Sequence, residues 1–234
     1  MAHRTPVRGL AIAEETNMFS DRSDAGRQLA RRLVHLKTLR PVVLALPRGG
    51  VPVGFEIASA LDAPLDLVLV RKIGVPWQPE LALGAVTDGG DPEIFIDRRL
   101  VSELTIPEDY IVEETARQIH EIERRRRVYG VGSAPLEVAG RPAIVVDDGI
   151  ATGATMRVAL QATRRRNPSR LILAVPVAAE DTLASLRSEV DEIVCLRTPA
   201  DLRAIGFFYR DFHQLSDAEV SEFLTRVAHP AENR

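Results

Sequence analysis

Residues Ala143 to Met156 constrain the fold more than any other stretch of the chain. They read Ala-Ile-Val-Val-Asp-Asp-Gly-Ile-Ala-Thr-Gly-Ala-Thr-Met. The opening small and branched apolar residues predict a strand buried on both faces, as in parallel sheets. Two adjacent carboxylates, Asp147 and Asp148, stand where that strand ends. A run of Gly, Ala and Thr follows, short enough in side chain for the backbone to wrap an anion. Met156, Ala159, Leu160 and Thr163 then recur at helical spacing, so the loop opens a helix.

Unpaired amides at a helix N-terminus, with the dipole behind them, favour a phosphate. Two carboxylates beside a bound anion conflict with a pure phosphate site. The conflict resolves if the ligand carries hydroxyls as well as phosphate. Carboxylates accept hydrogen bonds from a sugar diol, while Gly149, Ile150, Ala151, Thr152, Gly153, Ala154 and Thr155 hold the phosphate on the same sugar. A ribose 5-phosphate fits this description. The bland alternative is an ordinary strand-to-helix turn with an acidic cap.

At 234 residues the chain can bury one substantial core. A net charge of -3 and a pI near 6.0 argue against a dedicated nucleic-acid binder. The single cysteine, Cys195, cannot form an internal disulfide, which fits a reducing compartment. The N-terminus lacks the apolar core of a signal peptide, and no segment is long enough to span a bilayer. The five histidines have no zinc-ligand spacing, so no structural metal is expected. These features predict a soluble, cytoplasmic protein with no membrane partner.

Along the chain, residues 1–17 show no sustained period and are expected to form a loose tail. Asp21 can cap a helix whose apolar face is Ala25, Leu29, Leu33 and Leu36. Val42 to Leu46 is a buried strand, followed by Pro47-Arg48-Gly49-Gly50 and a short helix with Val53, Ile57 and Leu61 inward. Open parallel sheets bind ligands at the carboxyl ends of their strands. Glycines there allow close backbone approach, and an arginine offers a planar fork to phosphate oxygens. A tight turn with a surface arginine is the alternative.

Leu65 to Val70 is the next expected strand, ending at Arg71-Lys72, which face either an anion or solvent. Gly74 to Glu80 is rich in breakers and reads as a moving loop, in which Trp77 is either an anchor or a packed residue. Leu83 to Thr87 and Glu93 to Ile96 flank a turn and predict a hairpin. A long helix follows from about Pro107 to Tyr129, with Glu113–Arg117, Glu121–Arg125 and Glu123–Arg127 spaced for i,i+4 pairs. The run Arg124 to Arg127 is read as a solvated, salt-paired face or subunit contact in preference to an RNA site. Leu171 to Val177 and Glu192 to Leu196 are further strands, with a helix near Asp181 to Arg187 between them. The alternation predicts an α/β fold with a parallel, Rossmann-like sheet flanked by helices. Phe207, Phe208, Tyr209 and Phe212 cluster near the end, and Ser216 with Glu219 forms a capping box for a last helix.

The acidic pair with its Thr-Gly loop resembles the phosphoribosyl-pyrophosphate (PRPP) loop of type I phosphoribosyltransferases. Pro-Arg-Gly-Gly, Arg-Lys-Ile-Gly, Pro-Glu-Leu-Ala-Leu-Gly-Ala-Val and Phe-Tyr-Arg-Asp-Phe extend the resemblance over most of the chain, to a bacterial group of proteins with this domain. The resemblance implies transfer of ribose 5-phosphate from PRPP to a nitrogen of a base, with Mg²⁺ and release of pyrophosphate, in nucleotide metabolism. It implies that Asp147 and Asp148 take the ribose hydroxyls, and that Gly149 to Thr155 hold the 5-phosphate. Arg48, Gly49, Gly50, Arg71 and Lys72 would bind pyrophosphate. Asp211 would help hold magnesium-bound pyrophosphate. A core over 18–200, carrying a lid and insertion at about 73–130, and a hood over 201–234 are the implied organisation. In the hood, Phe207 or Phe208 either stacks a base or packs the hood's own core. A homodimer is expected by analogy alone.

One departure bears on chemistry. Hypoxanthine-type members carry a third aspartate after the acidic pair, where this chain has Ala151. Adenine-type members have alanine there and are thought to use a glutamate on the lid. Glu80 is the counterpart by location, as proton donor or acceptor; the alternative is that it merely pairs within its loop. Two competing functions stand beside transfer. One is a non-catalytic PRPP- or nucleotide-sensing regulator on the same fold. The other is an aspartate-dependent phosphohydrolase, which the small residues after Asp148 disfavour.

Overall fold

The computed structural model describes residues 18–88, 92–130 and 136–228, so the expected tail over 1–17 lies outside the described residues. Asp21 caps helix α1 (Arg22–Leu33), its side chain accepting from the Asp24 amide at 2.7 Å. Ala25, Leu29 and Leu33 are fully buried along its inner face, and Leu36 follows in a short 3-10 turn. Strand β1 (Val42–Ala45), helix α2 (Gly50–Leu61) and strand β2 (Leu65–Leu67) come next. Then come β3 (Val70–Val75), β4 (Gln78–Thr87), β5 (Ile94–Ile96), α3 (Arg98–Glu103) and α4 (Glu108–Val128). The alternation resumes with β6 (Pro142–Val146), α5 (Ala154–Arg165), β7 (Arg170–Val177), α6 (Glu180–Leu186) and β8 (Glu192–Arg197), and α7 (Asp217–Ala228) closes it.

The main sheet is parallel, in the order β2-β1-β6-β7-β8. Its alternate residues supply two apolar layers, as strand geometry requires. Val43, Ile144, Val146, Ile172 and Ala174 pack on α1 and α2, while Val42, Leu44, Ala143, Val145, Leu171 and Leu173 pack on α5 and α6. Both faces are therefore dry, which is why these strands read as unbroken apolar runs. The register pairs Ala45 with Val146. That pairing brings the loop after β1 directly beside the loop after β6.

A second sheet, antiparallel in the order β3-β4-β5, packs Ile73, Val75 and Leu83 against Val101 of α3, against Ile106, and against Ile111 of α4. This corrects the single strand expected over Leu65 to Val70. The parallel strand stops at Leu67, because Asp88 seizes the backbone of Leu69. Its carboxylate accepts the Leu69 amide at 2.9 Å and its own amide donates to the Leu69 carbonyl at 3.0 Å. Arg71 and Lys72 consequently sit inside β3 and not at the end of a parallel strand. The breaker-rich stretch Gly74 to Glu80 is a hairpin, with Val75 paired to Gln78 across Pro76 and Trp77. Trp77 is 65% exposed at its tip.

The charges of α4 also differ from the expected pattern. Glu121 does pair with Arg125, at 2.8 Å, but Arg117 turns to Glu114 and Glu123 faces His120 at 3.6 Å. Helical neighbours three and four apart are about equally near, so spacing alone does not choose between them. Within the Arg124 to Arg127 run, Arg126 is not on a solvated face. It is buried, bonded to Asp88 and lying 3.4 Å from Asp66. Asp66 in turn accepts the amides of Leu67 at 2.8 Å and Leu136 at 2.9 Å. One buried cation thus fastens α4 to the end of β2 and to the root of the small sheet.

Burial pushes the Asp88 carboxyl up to about 6, against the opposing pull of the Leu69 amide and Arg126. Replacing Arg126 by Met leaves two buried acids without this cation and costs about 3–5 kcal/mol, measurable by urea denaturation. Folded Asp88 keeps its proton to a higher pH than the ordinary value of 3.8, so its contribution to stability falls as pH rises between 3.8 and about 6. Without Arg126 the carboxyl titrates higher still. The loss in Arg126→Met is accordingly larger at about pH 8 than at about pH 5.

Candidate active site

Strand β6 delivers Asp147 and Asp148 against the turn that follows β1. A side-chain carbon at Gly49 would lie 2.0 Å from Asp148 Oδ2, and one at Gly50 would lie 2.7 Å from the Val146 carbonyl oxygen. The two strand-end loops touch because neither residue carries a side chain. The Pro47–Arg48 peptide between them and β1 is cis. Arg48 is half-buried, with Nη1 3.9 Å from an oxygen of Asp217 at the start of α7.

Beyond the acids, Ile150 bridges to Ala178 and its amide donates to the Val177 carbonyl at 2.9 Å. Gly153 then turns the chain at a φ of 78°, in the left-handed region that suits glycine, and opens α5. No side chain caps this helix, and Ala151, Thr152, Ala154 and Thr155 are exposed. Its first-turn amides are therefore left without a side-chain cap, the arrangement that receives an anion. The loop is tied down from behind, where the Thr182 hydroxyl donates to the Ala151 carbonyl at 2.8 Å.

The acids are held from the other side by residues that spacing along the chain does not reveal. Arg22, the first residue of α1, is buried and donates from Nε to Asp148 Oδ2 at 2.8 Å. Its Nη1 donates to the His213 carbonyl at 2.9 Å, and its guanidinium lies 3.9 Å over the ring of Phe212. The Tyr209 hydroxyl donates to the Asp148 carbonyl at 2.6 Å. Ile205 covers Gly149 closely enough that a side-chain carbon there would come within 2.6 Å of it. The chain before α1 joins this layer, since the Phe19 amide donates to the Phe208 carbonyl at 2.8 Å and Phe19 packs on Tyr209.

Asp148 is buried and Asp147 half-buried. Desolvation first, then the charge of Asp148, raises the Asp147 pKa well above the ordinary carboxylate value. Desolvation raises Asp148 as well, opposed by its bond to Arg22 and the charge of that guanidinium.

A cleft of about 610 Å³ beneath the β3–β4 hairpin brings Arg71, Lys72 and Glu80 together with Thr155 of the loop at α5. Arg71 Nε donates to Gln118 of α4 at 2.9 Å, and Glu80 stands exposed 3.9 Å from Lys72. The predicted residues therefore fall into two groups. Gly49 and Gly50 meet Asp147 and Asp148, while the side chain of Arg48 turns to Asp217; Arg71, Lys72 and Glu80 share the second cleft with Thr155 at the start of α5. Phe207 is 70% exposed, while Phe208 packs into the aromatic cluster around Phe19 and Tyr209. Asp211 is exposed and accepts from His213, whose other ring nitrogen meets Glu219 at 3.0 Å; among the described residues no group of three such side chains is placed to hold a metal ion.

The relatives of the chain define its family. The family model for the phosphoribosyl transferase domain matches residues 19–209, and the chain belongs to that family. Proteins from two strains of Mycobacterium tuberculosis, provisionally named phosphoribosyl transferases, are each 47% identical over 210 residues, which cover 90% of this chain. The match spans 47% of their length, so this chain corresponds to about half of those relatives. The crystal structure of the protein TT1426 from Thermus thermophilus superposes with a TM-score of 0.74 at 41% identity, over 88% of this chain and 97% of that one. No helix among the described residues is long and apolar enough to cross a membrane.

Gly49→Ala is the sharpest test of the loop contact. The added carbon must displace the Asp148 carboxylate from Arg22, and stability falls by about 1–3 kcal/mol in thermal or urea unfolding. A variant as stable as the parent would mean that the loops are not in contact.

Proposed function

We propose that this chain transfers the 5-phosphoribosyl group of PRPP to a nitrogen of a base, most simply a nucleobase, and releases pyrophosphate. One observation carries the reading. A helix N-terminus with open amides, a pair of strand-end acids and a glycine turn bearing an arginine converge at one edge of a parallel sheet. A ligand that is at once a phosphate, a diol and a pyrophosphate uses all three.

Departure of pyrophosphate leaves positive charge on the sugar ring and negative charge on the leaving group. Preorganised groups of opposite sign lower that barrier most. Asp147 and Asp148 accept from the ribose hydroxyls and favour the cationic ring, and the amides of the Gly149 to Thr155 loop hold the 5-phosphate. Arg48 with the Gly49 and Gly50 backbone, and Arg71 and Lys72 from the hairpin, take the charge of the pyrophosphate. Among the described residues no three metal-binding side chains converge. Mg²⁺ would accompany the substrate's pyrophosphate and offset its charge, with Asp211 as a candidate contact. Ala151 leaves no carboxylate beside the acceptor from the loop, so Glu80 on the hairpin is assigned to exchange the base's proton. Phe207 presents an exposed ring that can stack an acceptor.

Exchange of labelled pyrophosphate into PRPP, assayed with Mg²⁺ and a panel of bases, tests the activity. Asp147→Asn is expected to lower exchange about a hundredfold or more. Glu80→Gln is expected to lower it with some bases while PRPP binding persists. PRPP–Mg²⁺ binding, seen as a thermal shift, with no exchange across the panel would overturn transfer in favour of a sensor.

A further inference from the structure

We propose that Arg22, far in sequence from either loop, is a positioning residue that keeps the acid pair charged and aimed at the sugar. The proposal deepens the transferase reading and rests on it. Arg22 is held as few surface arginines are. It is buried, its Nε donates to Asp148 Oδ2, its Nη1 donates to the His213 carbonyl, and its guanidinium lies over the Phe212 ring. Phe212 stacks in turn on Tyr209, with ring centroids 4.9 Å apart, and the Tyr209 hydroxyl donates to the Asp148 carbonyl. The side chain and the backbone of Asp148 are thus gripped by one aromatic unit outside the loop motif.

The chemical need for this grip follows from adjacency. Two carboxylates on successive residues, enclosed at a strand end, favour sharing a proton over carrying two charges. A shared proton turns one acceptor into a donor, and the sugar diol needs acceptors. The titratable groups facing Asp148 are Arg22, Asp147 and Tyr209. Arg22 is the only cation among those named, and its pull on Asp148 is downward. It also fixes which oxygen is spent. Oδ2 of Asp148 faces Arg22 and Oδ1 of Asp147 accepts the Asp148 amide at 2.8 Å, so the pair's remaining oxygens meet the ligand in one orientation.

Isothermal titration calorimetry with two probes across a pH series tests this. Ribose 5-phosphate reads the acids and the phosphate loop together, whereas inorganic phosphate reads the loop alone. Arg22→Gln is expected to bind ribose 5-phosphate about tenfold more weakly at neutral pH. The deficit shrinks as pH rises and the pair ionises without help, and inorganic phosphate binding is unchanged. Arg22→Lys, which keeps the charge, recovers most of the affinity and the parental pH dependence. Equal losses for both probes, a loss independent of pH, or no loss would overturn the proposal. If Arg22→Gln does not fold, Phe212→Leu loosens the guanidinium without removing it. A smaller upward shift of the acid limb for ribose 5-phosphate is then expected, and an unmoved limb overturns the proposal. Asp147→Asn separates the two levels of the argument. Unimpaired ribose 5-phosphate binding in that variant would sink the sugar site itself, whereas impaired binding beside a silent Arg22→Gln would sink only the role of Arg22.

Discussion

A carboxylate enclosed at the end of a parallel strand needs a counter-charge or a proton, and the architecture around Asp148 is organised by the first of these solutions. The strand that carries it is dry on both faces, and the glycine turn beside it shuts out solvent from a third side. The cation comes from a residue 126 positions earlier in the sequence. Bringing it there requires α1 to lie across the sheet with its first residue at the carboxyl edge, and the aromatic layer to close over it. The site and the packing of α1 against the aromatic layer are consequently one problem with one solution.

The same device recurs where β2 meets α4. Asp66 and Asp88 are also buried acids, and Arg126 serves them as Arg22 serves Asp148. Here the consequence is mechanical. The triad fixes where the parallel sheet stops and the antiparallel one begins, and therefore where the hairpin stands over the loop at α5. Arg71 and Lys72 reach the vicinity of Thr155 through this scaffold, without being at a parallel strand's end.

Local chemistry was readable from the sequence wherever the deciding contacts lie within a few residues. The strand, twin acids, small-residue loop and helix over 143–165 form a contiguous unit whose buried and open positions alternate as their side chains require. The capping box at Ser216 and Glu219 and the Asp21 cap were legible for the same reason. What escaped was the long-range pairing of charge. Arg22 and Asp148 are 126 positions apart, and Arg126 and Asp66 are 60 apart, and no periodicity marks either arginine as buried. Arg126 even lies within a basic run that looks solvated. The apolar stretch Leu65 to Val70 was misleading because its break is imposed by Asp88, a residue in a different strand connection. The aromatic residues near the end were recognisable as a group. That Tyr209 would bond to the Asp148 carbonyl while Phe207 stays open depends on the fold of the whole layer.

Trp77 is the only tryptophan of the chain, and it stands exposed at the tip of the hairpin above the cleft that Arg71, Lys72 and Thr155 line. Indole emission from this chain therefore has one source and one location. Any closing of the hairpin onto a ligand changes the water around that ring, so the molecule carries its own optical probe of the step, with no label added.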